Sequence, residues 1–306
     1  MRDVGPFLWR LAGRLVLVPT SALIGSVVIF SALHFLPGDP VARESHQTPL
    51  QYEQAMHRLG LDLPLPVQYV RLMARIANGD LARILQPEAA LSGKIGFLAA
   101  VIAVGLGVGI GLTSARKANT ATDRILISLA LAAYSVPNFV WAFLMVFVGV
   151  TVLYYLTAGV FYYDPNPCCQ GLQIFMPAFA LGIPFAGYVA RHTRTAILEE
   201  RRRDYATTAR AKGLNEEQVI RVHVLRNAGI IVLTIVGPVA TALITGSLVI
   251  EQAFAVPGLG HELIQSILSR NYSTAVGVFV YYVLLIGIAN LIVDLLYPLL
   301  DPRLSL

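Results

Sequence analysis

Long apolar runs separated by short polar stretches form the main pattern of this chain. Six segments are apolar, almost free of charge and long enough to cross a bilayer: 15–36, 95–115, 125–163, 174–190, 228–250 and 272–293. About 20 consecutive apolar residues suffice for a helix to span the hydrocarbon core. The pattern therefore predicts an all-α polytopic membrane protein with six transmembrane helices.

The third apolar segment, 125–163, fits neither one straight span nor two. It is too short for two spans of about 20 residues each with a turn between them. Pro137 lies inside it, and proline interrupts helical hydrogen bonding. Its end, LTAGVFYYDPNP, is rich in tyrosine and turn residues, a composition typical of the membrane interface. We expect one span kinked at Pro137, followed by an interfacial segment.

The first apolar run, 15–36, is longer than the core of a signal peptide, which has about 7–15 residues, and no A-x-A cleavage site follows it. We interpret it as a retained first span. The chain then divides into an N-terminal part with this span (1–36), a loop domain (37–94) and a core with the other five spans (95–306).

Composition supports a membrane protein. Hydrophobic residues make up 56% of the chain, charged residues 13%, and the mean hydropathy is +0.66. Soluble globular domains are about one quarter charged, so the bilayer is the expected solvent. The two cysteines, Cys168 and Cys169, are adjacent; neighbouring cysteines rarely form an unstrained disulfide, and two do not make a metal site. We assign them a structural or incidental role.

The distribution of basic residues orients the predicted spans. With six spans, both termini, segment 116–124 and segment 191–227 share one side, and that side carries most of the arginines and lysines. Cytoplasmic loops are enriched in these residues, so both termini and segment 191–227, named the basic loop here, are expected in the cytoplasm. Loop 37–94 is expected outside it. The net charge of +5 reflects this asymmetry and does not require nucleic acid as a partner.

The basic loop contains strong local signals for helix ends. Asp204 suits the N-cap of a short helix over 205–212, and Gly213 suits the left-handed residue that ends it. Asn215 and Gln218 form a capping-box pattern, which starts a second helix that runs into the fifth span. The predicted arrangement is helix, glycine turn, helix.

Four roles compete for the basic loop on its residues alone: a solvated loop that only fixes topology, a helix-turn-helix for DNA, an amphipathic interfacial helix, and a docking element. Its first helix is tethered closely to a span, which disfavours DNA binding. It also lacks the large aromatic face expected of interfacial helices. Small residues favour docking because they allow close approach: Ala206, Ala209, Ala211 and Gly213.

The stretch DYATTARAKGL…HVLRNA, within 204–228, resembles the cytoplasmic EAA loop of ATP-binding-cassette importer permeases, in the form typical of the dipeptide, oligopeptide and nickel group. Further motifs match in order: LPGDP, LGLDLPLPVQY, NGDLAR, SVPNFV, EQAFAVPGLG and NLIVDLLYPLLDPRL. The resemblance covers nearly the whole chain. The long loop after LPGDP is similar to the first of the two permeases of such systems, and the resemblance implies the type I importer permease fold.

The chain departs from the family pattern in three respects. Alignment of Gly213 with the EAA glycine leaves no acidic residue at the E-A-A positions, which are Thr207, Thr208 and Ala209. Arg226 stands where the wider superfamily often has proline, and Asn271 stands where the subgroup usually has aspartate. The departures within the basic loop leave open which side chain makes the main polar contact with the ATPase.

The resemblance also implies partners. They are a second homologous permease, two ATP-binding-cassette ATPases, an extracytoplasmic substrate-binding protein and membrane lipid. ATP and Mg would be bound by the ATPases, and no cofactor is expected in this chain. The residues expected to couple to an ATPase are Asp204, Tyr205, Thr207, Thr208, Ala209, Ala211, Lys212, Gly213 and Leu214. The chain is expected in the bacterial plasma (inner) membrane.

Ser135, Pro137 and Asn138 are candidates for lining the substrate pathway. A proline kink frees backbone polar groups, and these groups must face a cavity or another helix. The alternative is a kink that serves helix packing alone.

The segment after the fifth span is a candidate outer gate or contact for the binding protein. Pro257, Gly258 and Gly260 predict a turn, and 261–270 predicts a short helix. The residues expected to form the gate or contact are Glu251, Pro257, Gly258 and Gly260. A loop that only covers the bundle is the alternative.

The sequence lacks the motifs of the enzymes considered. It has no G-x-x-x-x-G-K-[ST] phosphate loop, no H-E-x-x-H and no G-x-S-x-G. We therefore expect a non-catalytic subunit. The glycines that alternate in the second span predict packing faces between helices: Gly105, Gly107, Gly109 and Gly111.

Di- and oligopeptides are the expected substrates of an importer of this group. Nickel chelates, haem or another small solute carried by the same mechanism are the alternative. A stand-alone secondary transporter or channel, and a membrane anchor whose basic loop recruits a soluble protein, are hypotheses from other classes. ATP-dependent uptake by a complex with ATPases distinguishes the first hypothesis from both.

Overall fold

The computed structural model describes residues 5–35, 49–79, 85–158, 172–244 and 248–300. Cys168, Cys169 and the LPGDP motif lie outside these ranges. Within these ranges, six helices are long and apolar enough to cross a membrane: Leu15–Phe35, Gln86–Arg116, Asn138–Leu156, Ile174–Glu200, Glu216–Leu243 and Tyr272–Ile292. The prediction of an all-α protein with six spans is confirmed.

All regular elements within the described ranges are helical. The α-helices are α1 (Gly5–Phe35), α2 (Pro49–Leu59), α3 (Leu65–Ala77), α4 (Gln86–Arg116), α5 (Ala121–Ser135), α6 (Asn138–Val146), α7 (Leu153–Leu156), α8 (Leu172–Glu200), α9 (Asp204–Ala211), α10 (Glu216–Gln218), α11 (Leu225–Ile244), α12 (Leu248–Ala253), α13 (Leu259–Leu268) and α14 (Tyr272–Leu300). Two π-helical turns, Phe147–Val152 and Val219–Val224, join α6 to α7 and α10 to α11.

The helices form two compact units, of which the first comprises residues 1–92 and 257–288. In this unit α3 packs on α1 and α14 through a core that includes Phe30, Leu72 and Val276. The loop domain between the first two spans is thereby held on the first and last spans. The division of the chain by membrane side stays a prediction.

The second unit comprises residues 93–256 and 289–306. Its central helix is α8, against which α5, α6 and α11 pack. Since α8 leads directly into the basic loop, the loop is attached to the helix that makes the main contacts of this unit.

The second span approaches α8 through two of the four alternating glycines named above. A Cβ atom at Gly107 would lie 2.6 Å from Cβ of Val189, and one at Gly111 would lie 2.6 Å from an α8 carbonyl oxygen. These distances are too short for any other residue, so the predicted packing face is confirmed for this pair. At Gly105 and Gly109 no atom of the described chain lies within 4 Å of such a Cβ, and for them the packing face stays a prediction.

The third predicted span is fully broken at its proline, whereas we expected a kink. The helix α5 ends at Ser135, and Val136 (φ −83°, ψ 128°) is extended, as residues before proline prefer. Pro137 has no N–H to pair with the Ala133 carbonyl. Trp141 Nε1 donates to that carbonyl instead, at 3.1 Å. The candidate span in this segment starts only after the break, with α6.

The helix after the fifth span begins earlier than predicted. Gly258 is the N-cap of α13, so Gly260 lies inside the helix, and its assignment to the turn is wrong. The Ser92 hydroxyl, on α4, accepts a hydrogen bond of 2.9 Å from the Leu259 amide. Because this bond satisfies a first-turn amide that glycine cannot cap, the helix can start there; it ends at Leu268.

Candidate functional site

The short helix of the basic loop, α9, starts one residue before the predicted position. Its N-cap is Arg203, which is extended (φ −69°, ψ 153°) and makes no side-chain cap. The turn that ends α8 sets this conformation, with the Arg203 amide bonded to the Glu200 carbonyl at 3.3 Å. Asp204 is thus the first helical residue, and its assignment as N-cap is wrong. Its carboxylate lies near the positive end of the helix dipole.

The C-terminal end of α9 forms as predicted. Gly213 has φ +85°, in the left-handed region that favours glycine. Its amide donates to the Arg210 carbonyl at 2.9 Å, and the Leu214 amide donates to the Ala209 carbonyl at 3.4 Å. These two bonds form a Schellman motif. Lys212, the C-cap, is exposed.

The start of the second helix is also confirmed. The Asn215 side chain accepts from the Gln218 amide at 2.9 Å, and the Gln218 side chain accepts from the Asn215 amide at 3.1 Å. This reciprocal capping box starts α10, which continues through a π-helical turn into α11. The candidate fifth span therefore extends back to Glu216.

The small residues of α9 have two different roles. Ala206 and Ala209 are buried against a cluster of the chain's own residues that includes Ala115, Ile197 and Val224. They let α9 lie closely on its own bundle. They occupy the inward side of the helix, so a contact of either residue with a partner stays a prediction that the packing of α9 does not support.

The opposite side of α9 is exposed and narrow. Asp204, Thr207, Thr208 and Ala211 are all exposed, and their spacing of i, i+3, i+4 and i+7 places them on one helical face. We call these four residues the outer face of α9. Of the predicted coupling residues, Tyr205 and Leu214 are half-buried and Ala209 is buried.

Three charged side chains hold α9 in place. Glu216 accepts from Arg201 at 2.8 Å and from Arg210 at 2.9 Å, and thereby joins the end of α8, α9 and the start of α10. The hydrogen bond to Glu216 raises the pKa of Arg210. Arg201 also donates to the Ala115 carbonyl at the end of α4, at 3.0 Å. These contacts connect α9 to the ends of α4 and α8.

Tyr205 faces the bundle. Its hydroxyl donates to Glu200 at 2.6 Å, and Glu200 is nearly buried. Burial raises the pKa of Tyr205, and a hydrogen bond with Asn227 opposes that shift. The side chain therefore fixes α9 from within, a role that the sequence did not indicate.

A buried ion pair that joins the basic loop to α5 was missed in the sequence. Asp123, at the start of α5, accepts two hydrogen bonds of 2.7 Å from Arg194 of α8. It also accepts from Ser114 and, at 2.8 Å, from the Asn119 amide. The Arg194 hydrogen bonds hold the pKa of Asp123 well below its usual range, against the opposing effect of burial. The turn between α4 and α5 is thereby fixed to α8.

One local clue to the position of Asp123 is present in the sequence. Thr120 caps α5 by accepting from the Asp123 amide at 3.4 Å, a pattern visible in the residue order. The partner Arg194 is 71 residues away, and no local pattern relates the two.

The predicted pathway residues border a cavity. The break between α5 and α6 leaves a space of about 170 Å³ against α8. It is lined by Tyr134, Ser135, Val136, Pro137, Asn138, Pro184 and Phe185. The Ser135 hydroxyl donates to the Leu131 carbonyl at 2.8 Å. The structure brings the three predicted residues together at one cavity, and their transport role stays a prediction.

The predicted outer residues lie on α12, on α13 and in the segment between these two helices. Glu251 is buried on α12, and its carbonyl accepts from the Val256 amide at 2.9 Å. Pro257 is exposed, whereas Gly258 and Gly260 are buried. A role in gating or in contacting a binding protein stays a prediction for all four: Glu251, Pro257, Gly258 and Gly260.

Comparison with known proteins decides the family. The family model described as "binding-protein-dependent transport system inner membrane component" matches residues 107–306. The chain belongs to this family. The matched region contains the basic loop and both the α8 and α11 helices that flank it, so the resemblance to importer permeases is confirmed. The chain is a multi-pass transport permease of the inner membrane.

Individual relatives of this permease cover nearly its whole length. A putative peptide transport system permease protein of Brucella abortus (strain 2308) is 35% identical over 92% of this chain and 94% of its own. The dipeptide transport system permease protein DppB of Escherichia coli (strain K12) is 33% identical over 95% and 96%. A protein of the same name from Lactococcus lactis is 30% identical over 96% and 98%.

A solved structure supports the fold of this permease. The crystal structure of an amino acid ABC transporter with histidines has a TM-score of 0.56, covering 76% of this chain and 98% of that chain at 17% identity. At this identity the likeness concerns the fold alone, and it agrees with the expected importer permease fold.

Proposed function

We propose that this permease is one of two membrane subunits of an ATP-driven importer of di- and oligopeptides. A second, homologous permease completes the pathway, two ATPases supply the energy, and an extracytoplasmic binding protein delivers the substrate. Peptides are favoured because relatives covering over 90% of this chain are named peptide or dipeptide permeases. Both termini and the basic loop lie in the cytoplasm, on the side that is richest in arginine and lysine.

The outer face of α9 carries this proposal. This face is exposed, it runs along the whole of the short helix, and most of its side chains are small. A groove of an ATPase can therefore approach the helix backbone closely. The eight residues of α9 extend about 12 Å. The inward face is already satisfied by the chain's own cluster, which leaves the outer face for a partner.

The contacts behind α9 support transmission of force from the ATPase. Arg201 and Arg210 bind Glu216, and Arg201 also binds the α4 carbonyl of Ala115. An ATPase that moves α9 therefore moves the ends of α4, α8 and the fifth span together. Such rigid-body motion of packed helices is a common way to switch access between two sides.

The cavity at the break between α5 and α6 is the proposed part of the pathway in this subunit. A helix break frees backbone carbonyl and amide groups, and such groups are tolerated at membrane depth only in protein contacts or cavities. Ser135 and Asn138 add polar side chains to an otherwise apolar lining. These groups match the donors and acceptors of a peptide backbone.

Transport by the purified complex tests the proposed function. The permease, its companion permease, both ATPases and the binding protein are placed in liposomes, and uptake of a radiolabelled dipeptide is measured. We expect uptake that requires internal ATP and the binding protein and that persists when ion gradients are collapsed. Competition by unlabelled tripeptide, nickel chelate or haem identifies the substrate class. Uptake by this chain alone, driven by an ion gradient, would contradict the proposal.

A further inference from the structure

The acidic residues between α8 and α11 differ in whether the chain itself neutralises them. Glu216 binds Arg201 and Arg210, and Glu217 binds Arg116 at 2.9 Å. Asp204 is exposed, and within the part of the chain that the structure describes its carboxylate has no hydrogen bond or ion pair. It is the acid between α8 and α11 that the chain leaves without a counter-charge.

The position of Asp204 is as informative as its charge. It is the one charged member of the outer face of α9, which otherwise consists of Thr207, Thr208 and Ala211. The other three side chains are small and neutral, so a partner can come close to the helix and exclude water from the contact. A carboxylate that is removed from water in this way needs a cation opposite it.

The charge of this face also distinguishes between macromolecular partners. Phospholipid head groups carry phosphates, which the Asp204 carboxylate repels, so the face does not suit a membrane surface. A protein groove with a lysine or arginine at the end that receives the N-terminus of α9 suits it. Two arginines of the loop, Arg201 and Arg210, by contrast bind the carboxylate of Glu216.

We propose that Asp204 forms the main polar contact of this permease with its ATPase, through a lysine or arginine of the ATPase groove. This inference rests on the proposed function. The residues at the E-A-A positions, Thr207, Thr208 and Ala209, are neutral and cannot form an ion pair, whereas Asp204 can. Removal of one charge from a hydrogen-bonded pair at an interface weakens binding about tenfold or more. Asp204→Asn is expected to have this effect.

A second substitution tests the geometry. Thr207 lies one turn from Asp204 on the same face, and side chains three apart on a helix are about 5–6 Å from each other. The longer side chain of glutamate at this position reaches the same cation. Thr207→Glu in the Asp204→Asn background is therefore expected to restore most of the lost affinity.

The experiment measures binding of the purified ATPase to the two permeases in lipid nanodiscs, at 50 and 500 mM salt. The matched control is Glu217→Gln, the same chemical change at an exposed acid of the loop that already has an internal partner. We expect wild-type affinity for the control and a loss of about tenfold for Asp204→Asn at low salt. The loss should be smaller at high salt, because salt screens exposed charges.

The outcomes separate this inference from the proposed function. Binding of Asp204→Asn as tight as wild type, or an equal loss in Glu217→Gln, would overturn the role of Asp204 while leaving the docking of α9 intact. Absence of ATPase binding by the wild-type permeases would overturn both. Thermal unfolding of each variant complex is expected to match wild type, since Asp204 is exposed and has no internal partner.

Discussion

Arg194→Ala is expected to lower the free energy of unfolding by about 3–5 kcal/mol, because it leaves the Asp123 carboxylate buried without its counter-charge. Asp123 is 3% exposed and Arg194 26%. The measurement is chemical or thermal unfolding of the permease in detergent. The matched control is Arg116→Ala, which breaks an ion pair with side chains 37% and 54% exposed and is expected to cost less than about 1 kcal/mol. Similar losses in the two variants would contradict this account.

The pH dependence of the loss tests its electrostatic origin. The wild-type folded-state pKa of Asp123 lies below its unfolded value near 4. The pair's contribution is therefore present above about pH 4 and disappears only as the pH falls through the folded-state pKa. In Arg194→Ala the buried carboxylate has a raised pKa, so protonation favours folding. The difference in free energy of unfolding between wild type and Arg194→Ala is therefore expected to be smaller at pH 4 than at pH 7. An equal difference at the two pH values would contradict the electrostatic origin of the loss.

Gly213→Val is expected to abolish peptide uptake while membrane insertion stays normal. Gly213 has φ +85°, and a β-branched residue is strained there by about 1–2 kcal/mol. No atom lies within 4 Å of a Cβ built at Gly213, so the cost is conformational and not a clash. Relief of this strain requires the turn after α9 to open, which breaks the Schellman bonds and misplaces the outer face.

The matched control for this turn is Gly213→Asn. Asparagine tolerates the left-handed region better than other residues that carry a side chain, so this variant is expected to keep most of the uptake. Uptake of a labelled dipeptide and the amount of protein in the membrane are measured for both variants. Normal uptake by Gly213→Val, or equal loss in both variants, would contradict the role of the glycine conformation.

Local patterns made much of this structure predictable. The six spans follow from runs of apolar residues, and the Gly213 turn and the Asn215–Gln218 capping box follow from residues at most five positions apart. These features depend on backbone hydrogen bonds between near neighbours. Such bonds are encoded by residue type and spacing and need no knowledge of the rest of the chain.

The contacts that fix the basic loop were not predictable in this way. Asp123 binds Arg194 across 71 residues, and Arg201 binds the Ala115 carbonyl across 86. Many basic residues of the chain were equally available as partners. Only the packing of α4 and α5 on α8 selects these pairs.

The orientation of α9 could not be predicted from the sequence. Small residues suitable for close contact occur on both sides of the helix: Ala206 and Ala209 on one side, Thr207 and Thr208 on the other. The sequence alone therefore does not indicate which side is buried. The side that is buried depends on the position of the cluster around Ile197 and Val224. Tertiary packing therefore decided which half of a short helix is left for a partner.

Site-directed crosslinking from α9 to an ATPase tests the central claim most directly. Cys168 and Cys169 are replaced by serine, and single cysteines at Thr207, Ala211 and Ala209 are treated with a short crosslinker in inside-out membranes. We predict adducts with a nucleotide-binding subunit from Thr207→Cys and Ala211→Cys, and much less from Ala209→Cys, which is buried. No ATPase adduct from either outer-face position, or labelling of these positions from outside intact cells, would contradict the account.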